Sequence, residues 1–229
     1  MLEASMVCSV QVPDALLQPH SAQIENVATQ CLSIFNSALL EEPHPIPIEE
    51  VIDEGFGLRQ LPPVYLSMDG SVVGMTIFSE GKVSYRDSRL QPQKMFVCDG
   101  DVLLDRSLYN SGQEARLRFT LAHLLAHWIL HKNYFQGSSD ANPPAPPFIC
   151  RTENVESTRS VQQLVTDVDW LEWQADAFAA ALLMPQDSFR KAWEKHRGQP
   201  DLRTELAKVF LTSEKAVGIR MQQLGLEAL

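Results

Sequence analysis

The sequence is short of the features that would place it quickly. Its four cysteines, at positions 8, 31, 98 and 150, form no CxxC pair and no dense framework, which fits a reducing compartment better than a disulfide scaffold. No run of about 18 uninterrupted apolar residues occurs, the length a spanning helix requires, so no membrane segment is expected. The opening MLEASMVCSVQVPDALLQPH carries Glu3 and Asp14 but neither a basic start nor a long apolar stretch. No secretion signal is expected there, and the chain reads as cytoplasmic. Positive charge is scarce as well: 19 Lys and Arg against 29 Asp and Glu give a net charge of −10. That balance repels a phosphate backbone, so direct DNA binding would need a local basic patch. No internal repeat is visible.

What is present is an ordinary soluble composition, 229 residues with 45% hydrophobic and 21% charged, enough for one large or two small domains with a sizeable core. Apolar residues at Ile24, Val27, Ala28, Cys31, Leu32 and Phe35 have the spacing of one helix face. PIPIEEVIDEGFGL suggests a short helix stopping at Gly55 or Gly57. From Tyr65 to Leu104 the segments SVVGMTIF, KVSYRD, KMFVCD and DVLLD are short, apolar or β-branched, and separated by Gly, Asp and Ser. They predict a small, mostly antiparallel sheet. Asp101 to Asp105 is an apolar, Pro-free strand directly before the next helix, and it is expected at a sheet edge, where it would offer unpaired backbone groups to an extended peptide. A helix follows, SGQEARLRFTLAHLLAHWILHKNYF, starting near Ser111 with Glu114 as a capping-box partner. Residues 136–169 are rich in Ser, Pro, Asn and Asp and predict a flexible excursion. DWLEWQADAFAAALLMP reads as a second helix closed by Pro185, and the tail as two or three short helices.

Within FTLAHLLAHWILH, His123 and His127 are four residues apart and share a helix face, so their imidazoles could meet one metal ion. Such pairs also arise freely in sequence, and spacing alone does not separate a site from coincidence. Glu172 and Asp176 form another i, i+4 pair, on a helix otherwise apolar and alanine-rich. A carboxylate is costly to bury unless paired or metal-bound, and a ligating histidine normally gives its other N–H to an acceptor. Glu172 as a third ligand and Asp176 as that acceptor satisfy both demands. A solvent-facing acidic pair near a helix start, favoured by the dipole, is the alternative. Alanines at 175, 179, 180 and 181 would let the two helices pack closely.

RFTLAHLLAHWILH and EWQADAFAAALLMP, in this order, resemble the two signatures of the ImmA/IrrE family of zinc metallo-endopeptidases. DVLLDRSL and LAKVFLTSEKAVGIRMQQLGL are also similar to family patterns. The resemblance implies an α+β, zincin-like core over residues 21–195, following a tail at 1–20, with a helix-turn-helix-like segment at 196–229. It implies zinc on His123, His127 and Glu172, with Asp176 behind a ligand histidine. It also implies a protein substrate, typically a helix-turn-helix repressor.

The sequence departs from the family at Leu124, where the family has the glutamate that takes the proton from zinc-bound water. General acid/base assistance is worth roughly 10² to 10⁴ in rate, and an aliphatic side chain supplies none. The expectation is therefore an endopeptidase scaffold inactive or nearly so, or alternatively a metal-binding pseudoprotease that binds a regulatory partner without cutting it. His131, about 12 Å along the axis from His123, is expected to cap the helix end rather than join the site. Cys150 is read as a small hydrophobe, with a thiolate plug on the zinc as the alternative. Residues 201–229 hold four basic and four acidic side chains; packing through Leu206, Ala207, Phe210, Ala216, Ile219, Met221 and Leu224 is favoured over DNA reading.

Overall fold

A computed structural model describes residues 21–136, 147–151 and 164–226. The expected tail at 1–20 and most of the 136–169 excursion lie outside these residues. In chain order the elements are α1 (Ser21–Asn36), α2 (Ile48–Glu50) continuing as a π turn through Gly55, β1 (Arg59–Gln60), β2 (Val72–Thr76), β3 (Gly81–Arg86), β4 (Pro92–Val97), β5 (Asp101–Leu104), α3 (Glu114–Gln136), β6 (Phe148–Arg151), α4 (Asp167–Leu183), α5 (Gln186–His196), α6 (Leu202–Phe210) and α7 (Glu214–Gln223). This is an α+β architecture. The main sheet has the order β1-β5-β2-β6, with β1 and β5 parallel and the other neighbours antiparallel, while β3 and β4 form a separate hairpin.

One expectation about this sheet is overturned. β5 is paired on both sides, to β1 and to β2, and all four of its residues are buried. An apolar strand without polar alternation is what burial on both faces demands, so DVLL belongs inside the sheet. The edge strands are β1 and β6, and β6 lies within the stretch read as an excursion. Phe148 and Cys150 point inward and Ile149 and Arg151 outward, the two-residue alternation of a half-buried strand.

α3 starts at Glu114, later than Ser111, and is buried around nearly its whole girth from Phe119 to His131. Such a helix belongs in a core. It rests on β2 on one side and α4 on the other. The alanines of α4 allow this approach, with Ala175, Ala179 and Ala180 fully buried and Ala181 nearly so. α4 begins at a capping box, in which the Thr166 hydroxyl accepts from the Asp169 N–H and the Asp169 carboxylate accepts from the Thr166 N–H. This fixes where its first turn begins and thus which α4 residues face α3.

The C-terminal helices pack back on this core. Leu206, Phe210, Ala216, Val217 and Met221 are buried, whereas Ile219 and Leu224 are half-buried. Arg220, 1% exposed, donates to the Met184 carbonyl and forms a bidentate pair with Glu25 of α1. Lys208 is paired with Glu205. Two of the four basic side chains in this segment are thus engaged within the molecule, in keeping with packing.

Candidate metal centre

α3 carries His123 and His127 one turn apart, and α4 brings Glu172 against them. One ligand atom from each of the three lies within 4.8 Å of the others. His123 Nε2 is 3.0 Å from His127 Nε2 and 3.2 Å from Glu172 Oε2. Asp176 stands one turn beyond Glu172 and accepts from His123 Nδ1–H at 2.9 Å. Glu172 and Asp176 are 4% and 3% exposed, so they are not a solvent-facing pair at a helix start.

The geometry fits a divalent cation. Glu172 Oε2 is buried and, although close to His123 Nε2, makes no hydrogen bond. A buried carboxylate oxygen without a partner is costly. Both histidines use Nδ1 elsewhere, which leaves two Nε2 atoms facing one another beside that oxygen. Three electron-rich atoms converging in a dry site require positive charge between them. The surroundings show the same preference: burial opposes protonation of His123, yet Cys150, Asp176 and Glu172 together hold its pKa well above the ordinary histidine value. Two imidazoles and a carboxylate are a ligand set that suits zinc.

His131 is not a helix cap. α3 continues to Gln136, and His131 is 1% exposed. Its Nδ1 lies 2.9 Å from His127 Nδ1 and its Nε2 2.8 Å from Gln174 Oε1 of α4. Burial pushes its pKa down to about 4, the Gln174 hydrogen bond opposing this and His123 adding to it. Burial, then His123 and His131, holds His127 well below the ordinary value. The pair His131 and Gln174 was missed in the sequence. The available signal was the third member of the series His123, His127, His131, all at a four-residue period on one face.

β6 covers the site. The Phe148 ring stacks on His127 at 3.7 Å between centroids, and Cys150 is fully buried with its thiol in hydrogen-bond range of His123. Burial raises the Cys150 pKa, and the His123 interaction only partly offsets this.

Leu124 is fully buried. Its backbone carbonyl accepts from the Thr76 hydroxyl at 3.1 Å. Its side chain lies over Gly74 of β2 so closely that a Cβ there would fall 2.7 Å from Leu124 Cδ1. The described residues contain four buried carboxylates. Asp101 is held by Arg59 and the Cys98 N–H, and Asp105 by the Leu66 and Ser107 N–H groups. Glu172 and Asp176 are at the centre itself, so none of the four is left over as a proton acceptor.

The fold and a candidate metal centre of this kind are consistent with a metallopeptidase-like protein. Residues 149–222 match the family model Peptidase_M78, the IrrE N-terminal-like domain; this agrees with the ImmA/IrrE resemblance. The matched part runs from β6 through α7 and contains Glu172 and Asp176, while His123 and His127 precede it. No curated protein matches the chain. No described helix is long and apolar enough to cross a membrane.

Proposed function

We propose that this chain is a cytoplasmic zinc protein of the ImmA/IrrE metallo-endopeptidase design, acting on a regulatory protein such as a helix-turn-helix repressor, with hydrolysis nearly abolished by Leu124. The observation carrying this reading is the convergence of His123 Nε2, His127 Nε2 and the orphaned Glu172 Oε2 in a buried site. Zinc, when bound, supplies a Lewis acid and lowers the pKa of its water to about 7. Glu172 contributes the anionic ligand. Asp176 accepts a hydrogen bond from His123 Nδ1–H, which holds the proton on Nδ1 and keeps Nε2 free for the metal. No side chain accepts the proton of an attacking water at position 124, because a leucine there has neither lone pair nor charge.

The second reading, a pseudoprotease that binds its partner without cleaving it, is favoured by the burial of Leu124 in the core and of every ligand beneath β6. Both readings require metal. Elemental analysis of the purified chain, after zinc titration, is expected to give about one zinc per chain. His123→Ala and His127→Ala should remove it and lower the thermal midpoint, since a ligand bound only to the folded state stabilises that state. Equal zinc in the wild type and the double histidine variant would refute the site. Incubation of the zinc-loaded chain with candidate repressors, followed by mass spectrometry, then separates slow cleavage from binding alone.

A further inference from the structure

His123 and His127 are both placed as ligands, yet they are supported in different ways. Behind His123 stands a carboxylate, Asp176, which can only accept; one hydrogen bond therefore fixes the His123 proton on Nδ1. Behind His127 stands His131, and a neutral imidazole can either donate or accept. His131 by itself would leave the His127 tautomer open. The choice is made one step further away. Gln174 presents its amide oxygen to His131 Nε2 at 2.8 Å, and an amide oxygen only accepts. His131 must then carry its proton on Nε2 and offer a lone pair at Nδ1. That lone pair lies 2.9 Å from His127 Nδ1, so His127 must donate from Nδ1, and its Nε2 is left as the acceptor facing Glu172 and His123.

We propose that His131 and Gln174 are positioning residues for the metal, a neutral relay from Gln174 through His131 that fixes the metal-binding tautomer of His127. This rests on the reading of His123, His127 and Glu172 as ligands. A neutral relay also has an electrostatic reason. Glu172 and Asp176 together carry two negative charges in a site whose side chains are almost wholly buried, and one divalent cation balances them. A third carboxylate behind His127 would leave a net negative charge out of water, which is unfavourable even after relaxation. The relay orients His127 without adding that charge. Reversal of either hydrogen bond would place a proton on His127 Nε2, where it would exclude the metal.

The test is the zinc affinity of the full-length chain, measured by competition with a chelator of known affinity. His131→Leu removes the acceptor and should weaken zinc binding by about tenfold to a hundredfold, the usual effect of removing such support. His131→Asn places an amide oxygen where Nδ1 was and should keep most of the affinity. Gln174→Leu frees the His131 tautomer and should weaken binding in the same direction as His131→Leu. Equal affinity in the wild type and His131→Leu would overturn the relay while leaving the ligands in place. Loss as large in His131→Asn as in His131→Leu would overturn it too, since the histidine's shape alone would then matter. If the wild type binds zinc no better than the His123→Ala, His127→Ala double variant, the ligand reading itself fails. A measurement on the unaltered chain guards against variants that do not fold: nitrogen-15 NMR of the zinc-loaded protein should show His127 protonated on Nδ1 and His131 on Nε2. A proton on His131 Nδ1 would overturn the proposal.

Discussion

On the proposed reading, replacing Leu124 by glutamate supplies the absent proton acceptor, and its consequences follow from the packing. Leu124 is fully exposed to the core and not to water: its side chain covers Gly74, and its carbonyl is held by Thr76. Removing a buried leucine forfeits about 1.5–3 kcal/mol of apolar burial, and an unpaired buried carboxylate adds a further penalty of several kcal/mol. Against a typical total of about 5–15 kcal/mol, the metal-free Leu124→Glu variant should be markedly less stable than the chain as written. Zinc should recover part of that loss, because the new carboxylate gains a nearby cation. Its gain in catalysis should be at least about a hundredfold, corresponding to roughly 2.7 kcal/mol of barrier. The ligands are buried beneath β6, so a peptide must open the site before it reacts. Both forms share that cost, and the ratio of their cleavage rates reports the base alone. The assay compares the two zinc-loaded forms on one candidate repressor, with internal cleavage scored by mass spectrometry and thermal midpoints taken with and without zinc. Binding without cleavage by either metal-loaded form would refute the missing-base account and favour the pseudoprotease. Efficient cleavage by the leucine form would refute it from the other side.

Two further outcomes follow from the fold. Proline at Leu103 removes a ladder hydrogen bond from a strand paired on both sides and leaves a buried acceptor unsatisfied, so it should cost at least about 1–3 kcal/mol, read from the urea midpoint; an unchanged midpoint would mean that β5 is not held as described. Arg220→Ala leaves Glu25 without its bidentate partner and the Met184 carbonyl without its donor, and should destabilise the chain by about 3–5 kcal/mol. A neutral effect on stability would reopen a surface role for that arginine.

The helices that build the site were legible because their signals are local. Four-residue spacing places His123 over His127 and Glu172 near Asp176 whatever surrounds them, and two carboxylates on an alanine-rich helix already demanded a partner. β5 was misplaced for a physical reason: DVLL shows burial on both faces, but nothing in those four residues says which strand lies alongside. That depends on β1, two residues long, and on β6, embedded in a Pro- and Ser-rich stretch that hides the alternation of Phe148, Ile149, Cys150 and Arg151. For His131, distance from His123 along the helix axis is not distance from the site. Its actual neighbour is His127, one turn away, and its other partner, Gln174, lies on a helix 43 residues further along the chain. A contact of that kind has no local signature.

On the proposed reading, a chain without the base still has a reason to keep the ligands. Three histidines and two carboxylates are buried between α3, α4 and β6, and a proton on His123 would balance only one of the two carboxylates when no cation is bound. Folding the site therefore carries a penalty that metal binding offsets. Structural zinc contributes about 10–16 kcal/mol in small metal-dependent domains at neutral pH, as large as the whole stability of a typical protein. Selection for a folded chain alone would then retain His123, His127, Glu172 and the groups behind them. It would place no such demand on position 124, where leucine packs on Gly74 and adds apolar burial. On the proposed reading, metal-dependent stability and peptide hydrolysis are separable: substitutions at the histidines should remove the metal and the stability it adds, whereas Leu124→Glu should trade stability for hydrolysis.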